Sequence, residues 1–123
     1  MEKLEHIKEV LISKNIDPIR LSVENSGLKG IYIVHADLRG YDTVTDGWFV
    51  DEEGNNVFGQ EWECVMQFAD GVAAVCREGT WGFIHENGEK ASDFIFKRVK
   101  LAEGHYISET YSETESFEKL LGL

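Results

Sequence analysis

Phe68-Ala69-Asp70-Gly71-Val72-Ala73-Ala74-Val75-Cys76-Arg77-Glu78-Gly79-Thr80-Trp81-Gly82-Phe83-Ile84-His85-Glu86-Asn87-Gly88 is the stretch that decides the fold of this chain. Apolar runs of a few residues alternate with turns that close on Gly71, Gly79 and Gly88, where a side chain would obstruct the backbone. Short apolar runs with this punctuation are strands of an antiparallel meander. Asn87-Gly88 between apolar runs is a hairpin cue, since both residues tolerate positive φ. In a strand Trp81 and Phe83 point to opposite faces, and Gly82 between them lets another backbone or ring come close.

Working outward, Gly47-Trp48-Phe49-Val50-Asp51-Glu52-Glu53-Gly54 aligns with Trp81-Gly82-Phe83-Ile84-His85-Glu86-Asn87-Gly88 at an offset of 34, which also takes Val65 to Val99. Phe68-Ala69-Asp70-Gly71 aligns with Leu101-Ala102-Glu103-Gly104 at an offset of 33. Periods of this size belong to stacked supersecondary units. Two copies are legible, the upstream one with Gly47 and Trp48 in reversed order, and none is legible before residue 44.

The segments Phe68 to Val75, Gly79 to Gly88 and Leu101 to Gly104 resemble the bacterial WG-repeat family. Its units run through an aromatic, an acidic-Gly-x-Ala-x-Val segment, a Trp-Gly-aromatic-Ile strand and a turn ending in Gly. The resemblance covers about a third of the chain. It implies a β-rich repeat scaffold with no catalytic signature of its own.

Flanking segments read differently. Leu4, Ile7 and Leu11 form one stripe of a helix over residues 3–15, which Asn15 and Pro18 end. Ile19, Leu21 and Val23 alternate as a half-buried strand before a turn at 24–27, and a second strand follows from Gly30 to Ala36. Ser112-Glu113-Thr114-Glu115 fits a capping box ahead of Phe117, Leu120 and Leu121, with Gly122 as stop. The expectation is a single α+β domain with a predominantly antiparallel β meander. It comprises an N-terminal helix (1–16), leading strands (17–43), two degenerate WG-like repeats (44–108) and a C-terminal helix (112–122), the helices capping the sheet.

The 123 residues suffice for one core, and 42% hydrophobic residues with three Trp, four Tyr and seven Phe can fill it. No run reaches the roughly 18 apolar residues of a membrane span, and Met1-Glu2-Lys3-Leu4-Glu5-His6 lacks signal-peptide character. Cytoplasmic residence is the default expectation. Cys64 and Cys76 are too few for a disulfide framework; facing each other across a hairpin and lying buried as free thiols both fit their spacing. His6, His35, His85 and His105 are scattered without zinc-ligand spacing, so no metal or cofactor is expected. Phosphate-binding glycine loops, nucleophile elbows and His-Glu-x-x-His are missing, and the chain reads as a non-enzyme.

Twenty-three acids against twelve Lys and Arg leave a net charge of −11. Residues 37–70 hold nine of the acids against Arg39 alone, a local balance of −8. Such a field repels nucleic acid and anionic lipid and speeds encounter with a basic partner. The function expected is therefore a small cytoplasmic protein-binding module, most concretely an immunity or inhibitor protein that occludes the active site of a basic toxin such as a nuclease. Asp46, Asp51, Glu52, Glu53, Glu61 and Glu63 are the expected contact patch, with Tyr41 or Trp62 as its aromatic anchor. The alternative is a structural or regulatory WG-repeat module with an unrelated peptide or protein ligand, in which the acidity only solubilises.

Overall fold

The opening residues form a helix because Ile7 and Leu11, one turn apart, both bury completely against the first sheet. A computed structural model describes residues 2–37 and 46–110. Helix α1 runs Glu2–Ser13. It stops because Asn15 turns left-handed at φ 74°, letting the Ile16 N–H reach the Leu11 carbonyl and the Asn15 N–H reach that of Ile12. The strand expected from Ile19 begins later. Asp17 accepts the Ile19 N–H in a turn that leaves Ile19 exposed, and only Leu21 of that run is buried.

Among the described residues eight strands follow: β1 (Ser22–Asn25), β2 (Tyr32–Ala36), β3 (Asp46–Val50), β4 (Cys64–Ala69), β5 (Val72–Arg77), β6 (Thr80–His85), β7 (Phe96–Ala102) and β8 (His105–Thr110). Sheet 1 has the order β1-β2-β3 and sheet 2 the order β4-β5-β6-β7-β8, every pair antiparallel. The α+β class and the meander are thus present; the expected helix over 112–122 lies outside the described residues. Three hairpins turn on an acid-glycine pair, Asp70-Gly71, Glu78-Gly79 and Glu103-Gly104, with both residues at positive φ. That is the two-residue geometry whose twist matches the flanking strands. Asn87-Gly88 instead closes a turn in which the Gly88 N–H meets the His85 carbonyl, and only the single bridge Ile84–Lys90 follows it.

The repeat is a hydrogen-bond repeat. Asp51 N–H to Asn55 O, Gly54 N–H to Asp51 O and Val57 N–H to Phe49 O recur as His85 to Glu89, Gly88 to His85 and Ala91 to Phe83. The bridges Val50–Asn56 and Gly47–Trp62 recur as Ile84–Lys90 and Trp81–Phe96. All of these counterparts lie 34 residues apart. Sheet 1 corrects the reading that no copy precedes residue 44: β1-β2-β3 repeats β4-β5-β6, pairing Val34 with Trp48 as Val75 pairs with Gly82. A long β2–β3 connection hides this in the sequence, because it breaks the constant offset. The reversed Gly47-Trp48 order has a packing reason. Trp48 fills the core beneath α1, whereas at Gly82 the ring of Phe94 takes that space, 3.0 Å from where a Cβ would stand.

Two apolar layers result. The first joins Ile7, Leu11 and Leu21 to Tyr32, Val34, Trp48 and Val50 on one face of sheet 1. The second joins Ile33 and Phe49, from the opposite face, to Trp62 just ahead of β4 and to Val65, Phe68, Ala73, Val75 and Ile84 of sheet 2. Alternation along β2 and β3 feeds both layers, so those strands are buried on both faces.

His35 helps join the sheets, its Nε2 accepting the Val65 N–H at 3.3 Å. Burial lowers its pKa below the usual 6.5, against a smaller opposing pull from Glu24. An imidazole that must stay neutral to accept is charged in the unfolded chain first as the pH falls through 6.5. Its stabilisation is complete above that pH and drains away below it. Urea midpoints measured at pH 7.5 and 5.5 are expected to fall with pH, and His35→Gln is expected to flatten that slope. An equal slope in the variant would assign it to other groups.

Candidate protein-binding surface

The six carboxylates expected to form one patch divide between the two ends of β3. Asp46 opens the strand and Asp51 follows it, five residues on, which is about 16 Å of extended chain. At the far end Asp51 is a structural residue: its Oδ1 accepts the Glu53 and Asn55 N–H groups, both at 2.9 Å, and its Oδ2 accepts the Asn55 amide. Burial opposes its charge, but these N–H groups outweigh burial and hold the carboxyl below the usual range. The same turn is clamped to α1. Lys3 Nζ pairs with Glu52 at 3.1 Å, and Lys14 Nζ donates to the Glu53 carbonyl at 3.0 Å. Two cations, Lys3 in α1 and Lys14 just after it, therefore partly neutralise that end.

The near end is built around the Gly47–Trp62 bridge, whose two hydrogen bonds, 2.6 and 2.8 Å, join the sheets. Its register sets Asp46 across from Glu63, with Glu61 on the other side of Trp62. Glu61 and Glu63 are exposed. Glu61 turns only its carbonyl inward, to accept Arg77 at 2.9 Å; Glu63 accepts the Gly79 N–H at 3.4 Å. The structure thus groups Asp46, Glu61 and Glu63 and leaves Asp51, Glu52 and Glu53 apart from them.

Trp62 corrects the expectation of an aromatic anchor. It is 3% exposed, with its ring edge-on to Phe49 in the second core layer. Alternation explains this: with Glu61 and Glu63 turned to solvent, the residue between them turns inward. Tyr41, the other expected anchor, lies outside the described residues. The sequence reading missed Arg77, whose guanidinium lies 5.8 Å from the Trp62 ring and 5.6 Å from that of Phe94. Phe58, Trp62, Arg77, Ile84, Lys90 and Phe94 line a cleft of about 410 Å³ beside Glu61. Its members come from four separate segments, the connection before β4, β5, β6 and the segment after β6, so no local pattern marks them.

Cys64 and Cys76 are directly opposite across the β4–β5 hairpin, both as free thiols. Burial first, then the neighbouring Cys76, pushes the Cys64 thiol up to about 11, a range in which it is a poor nucleophile. Among the described residues no three His, Cys, Asp or Glu side chains gather as metal ligands, and no helix is long and apolar enough to cross a membrane.

No family model matches this chain, and no solved structure matches it. It is similar to the ribosomal silencing factor RsfS of Haemophilus influenzae. The two are 29% identical over 94 residues, which span 76% of this chain and 86% of RsfS.

Proposed function

We propose that this chain is a small, acidic protein-binding module of the WG-repeat type that engages a basic protein through Asp46, Glu61 and Glu63. The observation that carries the reading is the bridge between the sheets. It holds Glu61 and Glu63 outward on either side of a buried tryptophan, on backbone fixed by two short hydrogen bonds. Carboxylates on so rigid a base lose little freedom when they meet Arg or Lys of a partner, and the net charge of −11 speeds the encounter. The most concrete form of the module is an immunity or inhibitor protein that occludes the active site of a basic toxin such as a nuclease. There the carboxylates take the place of substrate phosphates. The role is binding rather than catalysis, in the cytoplasm, without cofactor.

A second reading draws on the similarity to a ribosomal silencing factor. An acidic chain approaching a ribosome is repelled by RNA phosphate and is drawn to basic protein surface, so the same residues would meet a basic ribosomal protein.

One experiment addresses both readings. Tagged protein is used to capture partners from host lysate across a salt series, alongside sedimentation with purified ribosomes. Glu61→Lys with Glu63→Lys is expected to weaken capture at least tenfold at low salt, while Glu52→Lys with Glu53→Lys changes it less than threefold, because the second pair lies at the helix-clamped end. Equal losses from the two pairs would rule out the proposed contact. Sedimentation with ribosomes that the first pair abolishes would favour the ribosomal partner.

A further inference from the structure

Arg77, the last residue of β5, is held by neutral groups. Its guanidinium centre lies 5.8 Å from the Trp62 ring and 5.6 Å from that of Phe94, and its Nη2 donates to the Glu61 carbonyl at 2.9 Å. Ring faces and a carbonyl fix where a cation sits without neutralising it. A guanidinium also carries several N–H donors, of which the Glu61 contact uses one.

The cleft that Arg77 lines is built in advance of any ligand. Trp62 and Ile84, both almost fully buried, form its floor, and the half-buried rings of Phe58 and Phe94 form its sides. Phe58 packs on the backbone of Gly88, where an added Cβ would stand 2.5 Å from the ring. Gln60 Nε2 donates to the Gly88 carbonyl at 3.3 Å, and the Gln60 carbonyl accepts the Asn56 amide at 3.1 Å. The two turns that enclose the cleft are therefore tied to each other. Its volume of about 410 Å³ falls in the range of small-molecule sites. The other charged side chains that line it are already engaged: Lys90 pairs with Asp93 at 2.9 Å, and Glu89 accepts the Asn87 amide at 2.6 Å. Among the described residues, Arg77 is thus the lining cation that no carboxylate meets.

We propose that this cleft binds a small organic monocarboxylate, its carboxylate on Arg77 and its apolar body against Phe58, Ile84 and Phe94. A planar guanidinium held in one place meets a planar carboxylate through two parallel hydrogen bonds. Charge selects the monoanion. The chain carries a net −11, so each further negative charge on a ligand is repelled, and a phosphate has no apolar body to bury against the rings. The inference does not rest on the acidic contact proposed above. Glu61 reaches Arg77 through its backbone, so the site outlasts replacement of the Glu61 side chain.

Titration of the isotope-labelled full chain with hydrocinnamate, followed by NMR, tests it. The Arg77 Nε–H, Trp62 indole and Gly88 amide signals are expected to shift together and to saturate. Hydrocinnamide, the neutral counterpart, and inorganic phosphate are each expected to bind at least tenfold more weakly. Arg77→Gln is expected to lower the affinity at least tenfold with the remaining amide signals in place. Glu61→Lys with Glu63→Lys is expected to tighten the acid while weakening capture of a basic partner, so the two readings fail separately. Four results would overturn the proposal: no saturable shift up to about 10 mM, the weak end of specific binding; hydrocinnamide or phosphate binding as well as the acid; an unchanged affinity in Arg77→Gln; or a dipeptide with a free C-terminus binding tenfold tighter, which would assign the cleft to the end of a partner chain. Should Arg77→Gln fail to fold, the comparison of acid with amide on the native protein decides.

Discussion

Phe49→Ala is expected to cost about 3–5 kcal/mol of folding stability, the range for deleting a fully buried phenylalanine. Phe49 has no exposed surface, and its ring centre lies 5.3, 6.1 and 5.2 Å from those of Phe58, Trp62 and Phe68. Those neighbours come from the β3–β4 connection and from β4 itself, so no single shift can close the cavity. Against a total of roughly 5–15 kcal/mol for a domain, the loss is severe, and it corresponds to a drop of about 10–20 °C in Tm. Thermal and urea unfolding monitored by tryptophan fluorescence measure it. Phe83→Ala, at the counterpart position on the half-covered outer face, is expected to cost less than half as much. Equal losses would mean that the outer face is buried as deeply as the layer between the sheets.

Gly27→Ala is the second large effect. Gly27 sits at φ 90°, and an added Cβ would stand 2.7 Å from the backbone oxygen of Phe68. Neither side can yield easily. The Ser26 carbonyl accepts the Phe68 N–H at 2.7 Å, and the fully buried Ser26 hydroxyl donates to the Ile31 carbonyl at 2.6 Å. Left-handed strain of about 1–3 kcal/mol and overpacking of similar size add to roughly 2–6 kcal/mol. Gly30→Ala is the control. Gly30 has φ 77° with nothing near its Cβ position, so only about 1–2 kcal/mol is at stake. A Gly27→Ala loss no larger than that of Gly30→Ala in urea titrations would show that the loop does not press on β4.

Two of the three acid patch residues grouped near Trp62, Glu61 and Glu63, were legible as surface from alternation alone, and the same alternation marks Trp62 as buried. Asp51 looked like surface charge because nothing local distinguishes a carboxylate that accepts turn N–H groups from one that faces solvent. Its three hydrogen bonds depend on the path of Glu53 and Asn55. The Arg77 cleft was invisible for a related reason. Trp62, Arg77 and Phe94 are far apart in the chain, and only the tertiary packing brings both rings to one guanidinium.

By itself, the sequence determined what short-range chemistry can impose: a helix with the Ile7–Leu11 stripe, strands of alternating burial, acid-glycine hairpins and a 34-residue period. Tertiary structure alone decided that β1-β2-β3 is a further copy of the unit. It also decided that Trp48 and Phe94 fill equivalent spaces from different positions, and that the acidic residues part into two groups at the ends of β3. The physical reason is range. Turn geometry and side-chain alternation act over two to four residues, whereas layer packing joins residues from separate turns and strands and is indifferent to how long the chain between them is.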